Sequence, residues 1–493
     1  MRWSAIWRRP FDNFFPNPMP NFPPKTTLQG GEEIQEFFRQ NQTPLFYAST
    51  STYNLLGADD WVGNLNFLNT VDSFDGQHPR VFTVAPVPGT VIGGIEEANN
   101  YLLAHPAVAA HVGQAGSGAG VVFLMFDERT EALAGKLGLR VAHPAAKLRQ
   151  YLDSKITTTR LADRAGVASV PNVLAPVDTY EALRAVAREL GPDLVVQLPF
   201  GDSGATTFFI SSEADYRPHA ERIAAAPEVK VMKRIRCRQT TIEGCVTRHG
   251  TLAGPLMTEM VGFPELSPFG GGWCGNEVFG VGASGLLTPE IRRQAQQAVI
   301  AMGAELRREG YWGCFGLDLL LDQDTGTLYL GEMNPRITGA SPMTNQAALD
   351  GQRPPLLLFH LLEWMGIDFS FDVDEFNQHW LHSSAVAPWS QLIIEHTREE
   401  AETVTVAPPS GVWRMLPDGQ LEFVRPAFHP GAPAGDDEVL FMRTIDRGYV
   451  ARRGSSLGRL TARGRLMDDN YRLTERAQAW IRGFRGLFAG EAL

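Results

Sequence analysis

Residues 314–345 read CFGLDLLLDQDTGTLYLGEMNPRITGASPMTN, and their order predicts a β-hairpin that carries a charged site. Phe315, Leu317, Leu319 and Leu321 alternate with other residues, the period of a strand with one buried face. Asp318 falls on the opposite face, beside Gly316. Gln323-Asp324-Thr325-Gly326 is a turn cluster. The return strand is expected over 327–334, where a period of two puts Leu328, Leu330, Glu332 and Asn334 on a common side. A simple hairpin then sets Asp318 opposite Glu332, to within about one residue of register. Two carboxylates and a carboxamide meet at one sheet surface, with Arg336 just beyond. Mg²⁺ takes one or two carboxylates and completes its shell with water and phosphate oxygens, so the cluster fits a Mg²⁺–nucleotide site. On spacing alone, a solvated sheet face fits it equally well.

The wording of the segment goes further. Glu332-Met333-Asn334-Pro335-Arg336-Ile337, with an acid on the preceding strand and Pro342 and Thr344 downstream, resembles the ATP-grasp superfamily. The likeness is greatest to the branch of biotin carboxylase and carbamoyl phosphate synthetase. It implies that Asp318, Glu332 and Asn334 hold the Mg²⁺ (or Mn²⁺) bridging the phosphates of ATP, and that Arg336 faces the acyl substrate. Asp153-Ser154-Lys155, a helix over 156–165 and the Gly166–Pro171 turn also resemble the family, and imply that Lys155 reaches the ATP phosphates. By residue type alone, Lys155 reads as a solvent-facing cation.

Residues 200–207, FGDSGATT, form a small-residue loop between two strands. Gly201, Ser203, Gly204 and Thr206 are its candidates for closing over phosphates with backbone N–H groups and hydroxyls, since glycine accepts the angles of an anion nest. An ordinary hairpin turn explains the same letters. Gln197 stands where biotin carboxylase and many relatives carry a second lysine. The missing charge is expected from Lys233 or an arginine. On the strand over 229–235, where relatives contact adenine, Met232 is expected to line the base and Lys233 to meet phosphate or a ring nitrogen.

The rest of the chain is organised around this region. Residues 1–28 are rich in Pro, Phe and Asn, which forbids helix or central strand and predicts an extended arm. Residues 29–150 alternate apolar strands (45–48, 81–85, 121–126) with helices (96–103, 129–137, 145–151), an open α/β domain. Gly116, Gly118 and Gly120 precede a strand and do not lead one into a helix, so they read as a loop and not as a dinucleotide fingerprint. The ATP-grasp domain is placed at 151–370, with its lid at about 170–231, and a C-terminal α+β region at 371–493 completes the substrate pocket. The glycine-dense stretch 261–285 is expected to cover phosphates and acyl substrate. Helices are expected over 289–309, 347–365 and 474–487. Residues 452–460, RRGSSLGRL, resemble a strand-turn-strand near the end of biotin-carboxylase-like chains; the arginines of this last region are candidates for a carboxylate, with none singled out. The fold class expected is therefore α/β and α+β, multidomain.

Composition bounds the partners. A net charge of −11 over 493 residues leaves no basic stripe for a nucleic-acid backbone. Four cysteines without metal spacing or a disulfide rhythm suit a reducing cytoplasm, and neither a signal peptide nor a membrane span is expected. The ATP-grasp resemblance implies a carboxylate that attacks the γ-phosphate of ATP and an acyl phosphate captured by an amine. Thr338-Gly339-Ala340-Ser341 lacks the acid that biotin carboxylase carries after this motif, which favours an amino-acid or peptide-type ligase over biotin carboxylation. A nucleotide-binding protein without turnover, and a phosphotransferase or carboxylase, are the alternatives. Small-molecule carboxylates and amines are the expected partners, and homodimers are common among relatives.

Overall fold

The computed structural model describes residues 27–86, 92–201, 206–384 and 386–493. Most of the Pro/Phe-rich arm, with Ser203 and Gly204, lies outside the described residues.

After a helix over Gly30–Arg39, five parallel strands form the first sheet, in the order Val81–Thr83, Leu65–Asn69, Leu45–Ser49, Gly120–Phe123, Arg140–Val141. One face buries Phe46, Leu68, Val121 and Phe123 against Leu102, Val108 and Ala134 of the crossover helices. Both faces of such a sheet are covered, which is why its strands are apolar runs. Three elements go beyond the sequence reading, the Leu65–Asn69 and Arg140–Val141 strands and the Pro106–Gly113 helix. Asn66 and Asn69 disguise the strand, but the buried Asn69 amide donates to the Ser49 carbonyl at 3.2 Å. Gly120 opens its strand under the Trp364 indole. A Cβ there would lie 2.3 Å from the ring and 2.9 Å from Leu45. Gly120→Ala is expected to destabilise the chain by about 1–3 kcal/mol, measured as a lower urea midpoint at unchanged slope.

A four-stranded antiparallel sheet follows, ordered Asn172–Ala175, Val229–Lys233, Leu194–Gln197, Thr207–Ile210. Its own core includes Leu183, Leu194, Val196, Val229 and Val231. An 11-stranded sheet makes the body. The hairpin Gly313–Asp322/Leu328–Asn334 lies at one edge, followed by Cys237–Thr247, Met257–Val261 and Trp273–Val278. The sheet continues without a break into the last region through Trp389–Glu395, Ser456–Arg463, Glu438–Arg443, Gly411–Met415 and Leu421–Arg425. Among the described residues no helix is long and apolar enough to cross a membrane.

Three expectations are corrected. The stretch 261–285 is not a covering loop throughout, because Trp273–Val278 is a largely buried central strand. Gly275 permits this: its φ is +133° and a Cβ would lie 1.9 Å from the Gln391 carbonyl oxygen of the neighbouring strand. The helix over 347–365 is two helices, Ser341–Asp350 and Leu356–Met365. Pro354 and Pro355 have no N–H to continue the first, and Gln352 turns with φ +52°. The return strand of the hairpin does not keep a strict period of two. Leu319 pairs with Leu330 and Asp318 with Glu332, so Gly331 is an extra residue, a β-bulge. Leu328, Leu330 and Met333 therefore face the core with Leu317, Leu319 and Leu321, while Glu332 and Asn334 share Asp318's face.

Candidate active site

The bulge is what assembles the acidic face. Asp318 and Glu332 are cross-strand partners, and Gly316 pairs with Asn334. Asn334 donates its amide to Asp318 Oδ2 at 3.0 Å, and the Thr241 hydroxyl donates to Asp318 Oδ1 at 3.2 Å. Burial, then the charge of Glu332, pushes the Asp318 carboxyl up to about 6, against the lowering effect of Asn334, Arg336 and Thr241. Two carboxylates held this close gain from a cation between them. Among the described residues no three His, Cys, Asp or Glu side chains form a self-contained metal cage. The donor set fits a Mg²⁺ ion that takes its remaining oxygens from phosphate.

Lys155 meets this face from the other side. Ser154 caps the Lys155–Ala165 helix, and the lysine at its first position is buried. Its ammonium donates to Glu332 Oε1 and to the Gly201 carbonyl, each at 2.9 Å. Gly201, at φ +148°, stands where a Cβ would overlap Thr206, so the position whose carbonyl meets the lysine calls for glycine. Lys155, Glu332 and Gly201 are thus one hydrogen-bonded unit.

A cation stands across the strand from Gln197. Lys230 is the register partner of Gln197 and is almost wholly buried. Gln197 donates to Thr207 Oγ1 at 3.2 Å and keeps a buried, unpartnered Oε1. Burial lowers the Lys230 ammonium from 10.5 to about 8, with Glu332 opposing the shift and Lys155 adding to it. Lys233 is not the compensating cation. Val229 and Val231 turn into the core of the four-stranded sheet, so Lys230 and Met232 share the other face, and Lys233 is exposed on the valine side. Met232 packs with Val170 and Val195 in an apolar patch bordered by Leu320 and Tyr329.

Two buried acids complete the surroundings, and neither lies in a local motif. Glu259 accepts from Trp273 Nε1 at 3.0 Å; burial, then Asp318, pushes its carboxyl well above the carboxylate range. Glu243 accepts from the hydroxyls of Thr338 and Ser341, both at 2.7 Å. The Thr338–Ser341 turn has no acid of its own, yet this carboxylate of the adjacent strand pins it in place. Arg336, on the same turn, helps lower the Asp318 carboxyl and keeps a buried Nε without a partner.

Neither a protein-family profile nor a curated protein sequence matches the chain. Solved structures do. The biotin carboxylase domain dimer of Hydrogenobacter thermophilus 2-oxoglutarate carboxylase, solved with MgADP, ADP and bicarbonate, superposes with a TM-score of 0.57 at 13% identity, covering 92% of each chain. Biotin carboxylase from Campylobacter jejuni, in a β-γ-ATP complex, gives 0.57 at 13% over 91% of this chain and 92% of that one. N5-carboxyaminoimidazole synthase from Aspergillus clavatus, with ADP and 5-aminoimidazole ribonucleotide, gives 0.54 at 12% over 89% and 97%. The chain shares the fold of these structures. The likeness to biotin carboxylase and N5-carboxyaminoimidazole synthase runs along about nine-tenths of this chain.

Proposed function

We propose that the chain is an ATP-dependent carboxylate–amine ligase of amino-acid or peptide type. The observation that carries the proposal is the approach of Lys155, from a helix, and Lys230, from the four-stranded sheet, to the hairpin face that bears Asp318, Glu332 and Asn334. A carboxylate oxygen of the substrate attacks the γ-phosphorus of ATP, the bond to the bridging oxygen breaks, and ADP leaves. The amine nitrogen then attacks the acyl carbon, phosphate departs with the C–O electron pair, and the nitrogen gives up a proton. No protein nucleophile is needed; the chain aligns the reactants and stabilises charge on oxygen.

Mg²⁺ (or Mn²⁺) held by Asp318, Glu332 and Asn334 would neutralise phosphate charge. Lys155 and Lys230 add two ammonium groups at the same place. Gly201 and Thr206, with Ser203 and Gly204, would close over the phosphates, Gln197 would lie beside them, and Met232 would line the adenine. Arg336 suits the planar carboxylate, because a guanidinium binds two oxygens at once.

A second reading keeps the scaffold and makes bicarbonate the donor. Its support is that the two similar structures bind bicarbonate in one case and an amine in the other. The deciding assay is Mg²⁺-dependent ADP and phosphate release with pooled carboxylates, pooled amines, both, and bicarbonate with amines. Release requiring carboxylate and amine together is expected. Release with bicarbonate alone as donor transfers the proposal to a carboxylase.

A further inference from the structure

The arginines of the last region divide by whether their charge is met. Arg443 pairs with Asp75, Arg465 with Glu277 and Asp469, and Arg414 with Glu438. Arg459 makes no ion pair among the described residues, and its Nε and Nη1 are buried without a hydrogen-bond partner. It lies on the Ser456–Arg463 strand, opposite Ile393 and Met442. Its guanidinium sits 3.6 Å above the ring centroid of Tyr53, a residue of the first domain. Glu395, on the neighbouring strand, feels this charge, but it lies beyond ion-pairing distance.

A chain of contacts joins this guanidinium to the acyl end of the site. The Tyr53 hydroxyl donates to Gln391 Oε1, and Gln391 Nε2 donates to the Gly339 carbonyl at 2.7 Å. Gly339 is three residues past Arg336, whose own Nε is unpartnered. One wall therefore carries two guanidinium groups with free donors, spaced by Gly339, Gln391 and Tyr53. Arginine cannot shed its proton as a buried lysine can, so the charge of Arg459 persists. A partly buried cation whose Nε and Nη1 are enclosed without acceptors costs the fold stability that an apolar residue of similar volume would not.

We propose that Arg459 binds a second oxyanion of the substrate, a carboxylate or phosphate group borne apart from the carboxylate activated beside Arg336. The substrate class is then doubly anionic, a dicarboxylate or a phosphorylated acid or amine. The anion's role as part of a substrate rests on the ligase reading; its binding at Arg459 does not.

The test is calorimetric titration of the full chain, at fixed ionic strength, with inorganic phosphate, with succinate and with MgATP. Wild type is expected to bind phosphate or succinate saturably. Arg459→Met is expected to weaken that binding by about tenfold or more while MgATP affinity stays unchanged, and Arg459→Lys to restore part of it. Whichever anion binds more tightly tells phosphate from carboxylate. Equal binding by wild type and Arg459→Met, or no saturable binding of either anion to wild type, overturns the site. Should the methionine variant not fold, phosphate or succinate must slow phenylglyoxal modification of Arg459 in wild type, mapped by mass spectrometry; absence of protection overturns it equally. Anion binding without MgATP binding would retire the ligase reading and keep the site. MgATP binding without anion binding would do the reverse.

Discussion

Glu332→Gln is expected to lower Mg²⁺-dependent ADP release by about 10³-fold while leaving the chain folded. The side chain keeps its size, so the hairpin register and the bulge at Gly331 have no reason to change. What disappears is one of two cross-strand carboxylates and the charge that meets Lys155 at 2.9 Å. Stability should move little, because two effects oppose each other. The Lys155 ion pair is lost, but so is the like charge that raises the Asp318 carboxyl, leaving burial as the main cause of that shift. Thermal unfolding within a few degrees of wild type, together with loss of turnover, is the expected pair of results. A variant that keeps more than about a tenth of the wild-type rate would mean that Glu332 does not hold the metal.

How much of this site is legible in the sequence depends on how local its determinants are. The Asp318/Glu332 pairing follows from a turn cluster and two apolar runs within twenty residues, and the structure reproduces it. The bulge does not announce itself: Gly331 is one glycine among many, and only the burial of Met333 and Leu330 together reveals the shift. Lys230 was readable. Val229 and Val231 alternate with it, and once they are assigned to the core of the four-stranded sheet the parity of Lys230 and Met232 follows. Lys233 falls on the opposite parity. Glu243, Glu259 and the Trp273–Val278 strand were not readable in this way. Gly275, Asn276 and Glu277 are poor strand formers, and buried Glu277 is satisfied by Leu466, Met467 and Ser390, far along the chain. Asn69 and the Leu65–Asn69 strand fail for the same reason, since their partners come from the neighbouring strand.

Lys230→Met should move two quantities in opposite directions. In the free protein the ammonium is buried and has no carboxylate within ion-pairing distance among the described residues, and burial brings it from 10.5 down to about 8. That displacement corresponds to a cost on the order of 3 kcal/mol to the folded state at neutral pH. The sign is fixed by linkage: between about 8 and 10.5 the unfolded chain holds this proton more tightly, so the folded state gains stability as pH rises through that window. Methionine removes the cost, and the ligand-free variant is expected to unfold at a higher temperature, with the alkaline gain flattened. Phosphate binding should run the other way. A buried cation next to Glu332 and Lys155 favours the nucleotide's negative charge, and its loss is expected to weaken MgATP by about a hundredfold. In wild type the affinity should fall as pH rises past 8, while Lys230→Arg should remove that fall because arginine stays charged. Calorimetric MgATP titrations from pH 7 to 9.5, set beside melting curves of the same proteins, decide the matter. A methionine variant that is both less stable and equally avid would make Lys230 a packing residue of the four-stranded sheet, and the charge absent at Gln197 would then have no replacement on that face.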